Sequence, residues 1–66
     1  MTISSRAQSG SLFEARIGEV IEFFRMRNGE RTAINAATLV RMRGPERDTF
    51  HDVITRAFEV KCQGLA

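Results

Sequence analysis

A chain of 66 residues with a net charge of +2 and one cysteine is too short for more than one domain and cannot form an internal disulfide bond. A core of this size buries only about 60% of the surface of the unfolded chain, so we expect self-association or a partner to add stability. No segment approaches the roughly 18 consecutive apolar residues of a membrane-spanning helix, and the first residues lack the apolar run of a secretory signal. The composition therefore predicts a cytoplasmic protein that does not enter a membrane.

The start of the chain is polar and rich in serine, and its apolar residues show no period. Such composition is typical of poorly ordered termini. We therefore predict a flexible N-terminal arm over residues 1–10 and a single helical domain over residues 11–66.

The next segment shows helical spacing. Ser11 and Glu14 stand three residues apart, as in a capping box, where each side chain bonds to the backbone of the other. Asn28-Gly29 can supply the left-handed residue that ends a helix. These signals predict a first helix over residues 11–28. The apolar side chains that would form its core face are Phe13, Ile17, Val20, Ile21 and Phe24.

A second helix is predicted over residues 32–43. Thr32 can cap it, and the alanines that follow have the highest helix propensity. The stretch Thr38–Met42 also alternates as a short strand would, so a strand remains an alternative there. Gly44-Pro45 is predicted to end this element, because proline disfavours helical geometry in the residue before it.

A third helix is predicted to begin at Thr49, whose spacing to Asp52 resembles a capping box, and to end near Lys61-Cys62. The short connections make consecutive helices neighbours in space. The predicted fold is therefore an all-α three-helix bundle, which we expect to form a homodimer. The apolar residues with helical spacing in the third helix are Phe50, Val53, Ile54, Ala57, Phe58 and Val60.

The sequence contains no arrangement of residues suited to catalysis. His51 and Cys62 are the one pair that could supply a base and a nucleophile, and eleven residues on one helix separate them by roughly 16 Å. The glycines are isolated, and so small a chain has little room for a pocket. We therefore predict a protein that is not an enzyme and that has no cofactor, metal site or small-molecule substrate.

A second apolar arc on the predicted first helix suggests a binding surface. Leu12, Phe23 and Met26 lie there, with Arg16 and Glu19 among them. Aromatic residues, methionine and arginine are enriched at protein interfaces. We therefore predict a small regulatory protein, of the kind encoded by phages, plasmids and other mobile elements. It would bind and modulate a protein partner, or pair with a second copy, through this strip. Packing of Phe23 and Met26 inside the monomer is the competing interpretation.

DNA binding by a helix-turn-helix is the alternative function. The predicted second helix, a glycine-containing turn and the predicted third helix follow the order of this motif. Arginine suits contacts with phosphates and bases. Several arginines lie near the predicted ends of the first and second helices, where complementation of the helix dipoles would also explain most of them. The residues assigned to DNA contact under this alternative are Arg25, Arg27, Arg31, Arg41, Arg43, Arg47, Thr55 and Arg56.

Overall fold

The fold is a four-stranded antiparallel sheet followed by one α-helix, as seen in a computed structural model that describes residues 1–64. The strands lie side by side in chain order, so that each pairs with the one before it. A short 3-10 helix joins the sheet to the α-helix. The elements are β1 (Thr2–Arg6), β2 (Leu12–Ile17), β3 (Ile21–Arg27), β4 (Glu30–Ile34), the 3-10 helix (Ala36–Arg41) and α1 (Gly44–Gly64).

The predicted all-α fold is wrong, and residues 11–28 show why. This segment forms β2 and β3 instead of a first helix. Residues four apart, such as Phe13 and Ile17, share a face in a helix and also in a strand, so their spacing fits both. Val20, which would have completed the helical stripe, lies in the loop between the strands and is 68% exposed.

Asn28-Gly29 forms a hairpin turn and does not end a helix. The φ angles of Asn28 and Gly29 are 52° and 77°. The residues that flank them, Arg27 and Glu30, are paired across the two strands. Two consecutive residues with positive φ make the tight turn that suits the twist of a two-residue β-hairpin, and Asn-Gly is the strongest sequence signal for it.

The predictions for residues 1–10 and 32–43 also differ from the structure. The predicted flexible arm contains β1, in which Ile3 is buried, and Ala7 directly after the strand is buried as well. The predicted second helix is wrong, because the segment is divided between β4 and the 3-10 helix. The alternative strand over Thr38–Met42 is absent as well. Of the predicted domain over residues 11–66, the last two residues lie outside the described part.

The third predicted helix is present as α1, but it begins at Gly44 and not at Thr49. Gly44-Pro45, expected to end a helix, begins one. Proline is favoured in the first turn because its missing N–H would have no intrahelical acceptor there. The Thr49 hydroxyl donates a hydrogen bond of 2.8 Å to the Pro45 carbonyl, so Thr49 is an interior residue of the helix and not its cap.

The core lies between α1 and one face of the sheet, here called the inner face. The helix crosses β1 and β2, and the 3-10 helix packs against the same core through Leu39. Ala15 and Ala57 are fully buried, and their small side chains let the helix approach the sheet closely. The opposite face, here called the outer face, carries no helix within residues 1–64. The buried core cluster is Ala7, Phe13, Ala15, Phe23, Phe50, Val53 and Ala57.

Candidate functional site

The outer face is a mixed surface of apolar side chains, arginines and glutamates. Because side chains alternate along a strand and paired residues share a face, the pairing of the four strands defines its members. They are Thr2, Ser4 and Arg6 from β1, Leu12, Glu14 and Arg16 from β2, Glu22, Phe24 and Met26 from β3, and Arg31 and Ala33 from β4.

The centre of the outer face is apolar. Leu12 and Met26 stand directly opposite each other on β2 and β3. Phe24 lies on the same face two residues before Met26, and Ala33 stands opposite Phe24 on β4. Leu12, Phe24 and Met26 are half-buried although no helix covers them, since long side chains stand beside them on the neighbouring strands. The result is a continuous apolar patch across three strands.

Two arginines frame this apolar centre. The guanidinium carbon of Arg31 lies 4.1 Å from the ring centroid of Phe24, and that of Arg16 lies 5.5 Å from it. Both distances are within the range of a cation–π contact. Arg31 also forms an ion pair of 3.1 Å with Glu14, whose Oε1 atom accepts no well-aligned hydrogen bond. Arg16 stands opposite Glu22 in the strand pairing. Arginines and glutamates therefore alternate around the patch, with three arginines and two glutamates on the outer face.

The residues predicted for a protein interface are partly united by the structure. Leu12, Arg16 and Met26 share the outer face. Phe23 is 6% exposed in the core, which matches the competing interpretation for that side chain, and Glu19 is exposed in the loop after β2. The sequence reasoning missed Phe24 as a member of this surface. The alternation of Phe24 with Met26 was the signal that could have found it.

The residues predicted for DNA contact are separated into three regions. The predicted helix-turn-helix is absent from the structure, because β4 and the 3-10 helix occupy the place of its first helix. Arg31 lies on the outer face, and Arg56 is exposed on α1, where it pairs with Asp52 at 3.3 Å. Thr55 is also exposed on α1. The others lie near the start of α1: Arg25, Arg27, Arg41, Arg43 and Arg47.

A polar network around Glu46 fixes the start of α1 to the sheet. Ser9 and Ser11 donate hydrogen bonds of 2.9 and 3.1 Å to Glu46 Oε2. Arg27 forms an ion pair with the same oxygen and donates a 3.0 Å bond from Nε to Ser11 Oγ. Arg25 approaches Glu46 Oε1 at 3.7 Å. One carboxylate therefore joins the loop after β1, the strand β3 and the first turn of the helix.

The network lowers the pKa of Glu46. Burial by itself raises the pKa of this carboxyl, but the hydrogen bonds from Ser9 and Ser11 and the charge and hydrogen bond of Arg27 outweigh it, so the pKa lies below the ordinary value of 4.5. A carboxylate with a lower pKa in the folded chain stabilises the fold above its unfolded pKa. That stabilisation disappears as the pH falls through the folded pKa.

We therefore expect Glu46→Gln to lower the free energy of unfolding at neutral pH by about 1 kcal/mol. The difference from the wild type should shrink as the pH falls below about 4, because the wild-type carboxyl is then protonated too. Urea unfolding of both chains at a series of pH values measures this. All other carboxyls titrate in both chains. If the free energies of unfolding of the two chains differed by the same amount at every pH, Glu46 would contribute no charge-dependent stability.

The two residues considered for catalysis both lie on α1. His51 and Cys62 are exposed, and eleven residues of the helix separate them. Within residues 1–64, no group of three or more His, Cys, Asp or Glu side chains is placed to hold a metal ion. The absence of catalysis and of a cofactor stays a prediction from the sequence.

Comparison with known proteins gives no family for this chain, since no family profile, curated protein or solved structure matches it. Among the described residues, no helix combines the length and the apolar character needed to cross a membrane. The candidates for a functional site are therefore the two surfaces described above, the outer face and the arginines near the start of α1.

Proposed function

We propose that this protein is a small non-enzymatic protein-binding module, that the outer face of its sheet is the binding surface, and that a second copy of the chain occupies it. The observation that carries the proposal is the self-complementary pattern of two of the three rows that pair β2 with β3 on that face. An apolar pair, Leu12 and Met26, and an opposite-charge pair, Arg16 and Glu22, each join β2 to β3. A symmetric dimer requires a surface that complements itself.

A twofold axis that runs parallel to the strands, between β2 and β3, produces this complementarity. It places β2 of one copy over β3 of the other while keeping each row of the pairing at the same height. Leu12 then faces Met26 of the partner subunit, and Arg16 faces Glu22 of the partner subunit. Two face-to-face sheets pack about 10 Å apart, close enough for these side chains to interdigitate.

The charges at the edges of the proposed interface also permit dimer formation. The same axis brings β1 of one copy over β4 of the other, so Arg6 approaches Arg31 of the partner subunit. Repulsion there is limited, because Glu14 already pairs with Arg31 inside each chain. Like charges therefore do not dominate the contact, and the row of Leu12 and Met26 can be buried. Such burial offsets the small core of a 66-residue domain.

Cross-linking with a short bifunctional maleimide tests this arrangement, because facing residues of two sheets about 10 Å apart are too distant for a direct disulfide bond. Leu12→Cys and Met26→Cys are introduced into separate chains, both with Cys62→Ser to remove the natural thiol, and the mixed chains are treated with the reagent. We expect the cross-linked heterodimer to form at least tenfold faster than with a Thr55→Cys chain as partner, since Thr55 is exposed on α1, on the other side of the sheet. Equal rates for the two mixtures would contradict the proposed interface.

A cytoplasmic location accompanies this proposal. Cys62 is free and exposed, and free thiols persist in reducing compartments.

The dimer also supplies a reason why a chain with so small a core has an apolar patch on its outer face. Modulation of a different protein stays a prediction from the sequence.

A further inference from the structure

A second surface, distinct from the outer face, lies where α1 begins. Arg25 and Arg27 project from the inner face of β3 to Glu46, as their ion pairs show. Arg43 immediately precedes the helix, and Arg47 follows Glu46 in its first turn. Arg41 ends the 3-10 helix two residues before Arg43. These five arginines, from three elements of structure, are called the basic end below.

The basic end contains arginines whose charge no ion pair among the described residues balances. Among residues 1–64, Arg41, Arg43 and Arg47 form no ion pair. Arg43 and Arg47 also flank the start of a helix, where the macrodipole is positive and cations are unfavourable. Complementation of a helix C-terminus, which the sequence suggested for such arginines, applies to Arg41 at the end of the 3-10 helix but not to Arg43 and Arg47. Glu46 is the acidic residue in this first turn, and it forms ion pairs with Arg25 and Arg27, not with Arg43 or Arg47.

Two open grooves lie beside these arginines. One open groove of about 470 Å³ is lined by Val40, Met42, Arg43, Gly44 and Arg47. A second, of about 260 Å³, is lined by two arginines, one glutamate and two polar residues of the hairpin of β3 and β4: Arg25, Arg27, Asn28, Glu30 and Thr32. Glu46 is close to both sets of arginines, since it pairs with Arg25 and Arg27 and stands in the chain three residues after Arg43 and directly before Arg47.

We propose that the basic end binds the phosphodiester backbone of a nucleic acid. Arginine has a planar fork of donors that matches phosphate oxygens, and nine of the ten basic residues of this chain are arginines. Two grooves with arginines along them suit a flexible chain of phosphates, whereas a lipid bilayer presents a flat surface. Binding through phosphates fixes position and is independent of base sequence.

This inference does not depend on the proposed dimer. The basic end belongs to the helix side of the molecule, and the dimer would use the opposite face of the sheet. A monomer could therefore bind nucleic acid, and a dimer would carry two basic ends. Failure of either proposal leaves the other intact, because the variants that test them change different residues.

The test is fluorescence anisotropy with labelled oligonucleotides of mixed sequence, single-stranded and double-stranded, over a range of salt concentrations. We expect the wild type to bind at least one form, with a slope of log affinity against log salt of about −2 to −4. The double variant Arg43→Glu/Arg47→Glu should bind at least tenfold more weakly, with a slope smaller by about 2. The comparison of the two oligonucleotide forms shows which one supplies the phosphates.

The matched control is Arg56→Glu, which changes an exposed arginine on the same helix that already pairs with Asp52. We expect it to retain wild-type affinity, and circular dichroism checks that every variant is folded. No binding of wild type at low salt, or equal affinity of Arg43→Glu/Arg47→Glu and wild type, would overturn the inference. So would binding to vesicles containing phosphatidylglycerol in the absence of binding to either oligonucleotide.

Discussion

Replacing Phe50 with alanine should lower the free energy of unfolding by about 3–5 kcal/mol, the largest loss we expect from one substitution in the core. Phe50 is fully buried. Its ring stacks on Phe13 with centroids 5.3 Å apart and meets Phe23 edge-on at 5.6 Å. The variant therefore removes the contact that joins α1 to both β2 and β3, and it leaves a cavity between them.

Urea unfolding followed by circular dichroism measures this loss. A domain of this length has a total stability of only about 3–10 kcal/mol, so much of the Phe50→Ala protein should be unfolded without denaturant. Phe58→Ala is the control, because Phe58 lies on the same helix and is 53% exposed. Its expected effect is within about 0.5 kcal/mol. Similar losses from the two variants would mean that α1 does not pack on the sheet as described.

The second large effect concerns the outer face. The double variant Leu12→Lys/Met26→Lys should raise the dissociation constant of the proposed dimer at least 100-fold, which corresponds to about 2.7 kcal/mol. It replaces the apolar centre with four lysines per dimer and leaves them beside Arg6 and Arg31. Their burial without partners is strongly unfavourable. Sedimentation velocity over a concentration series gives the two dissociation constants.

The control for this variant has the same added charge at other exposed apolar positions. Val20→Lys/Phe58→Lys changes residues that are 68% and 53% exposed and lie off the outer face. We expect it to dimerise like the wild type. Thermal unfolding shows whether Leu12→Lys/Met26→Lys is still folded, since both side chains are half-buried in the monomer. A folded variant that dimerises as tightly as the control would rule out the outer face as the interface.

Part of the fold could be predicted from the sequence, and particular residues explain which part. α1 was predicted because Phe50, Val53 and Ala57 are spaced three and four apart, which strand alternation cannot place on one face. The strands β2 and β3 were mistaken for a helix because Phe13 and Ile17 are four apart and fit both structures. Asn28-Gly29 between alternating segments was the hairpin signal that decides this ambiguity.

The candidate surfaces were predictable to a different extent. Leu12 and Arg16 share a face in a strand as well as in a helix, so the helical pattern, although wrong here, also places them on one surface. Phe24 was missed because the helical pattern assigned it to the core. The network of Ser9 and Ser11 with Glu46 joins residues 35 to 37 positions apart. A pattern of neighbouring residues in the sequence cannot predict contacts between residues so far apart in the chain.

The most direct test of the proposed function is the mass of the wild-type protein in solution. Sedimentation equilibrium at micromolar concentration measures it without reference to shape. A self-complementary outer face predicts twice the chain mass of 7.4 kDa. A mass of one chain at every concentration tested would contradict the proposal that a second copy occupies the outer face of the sheet.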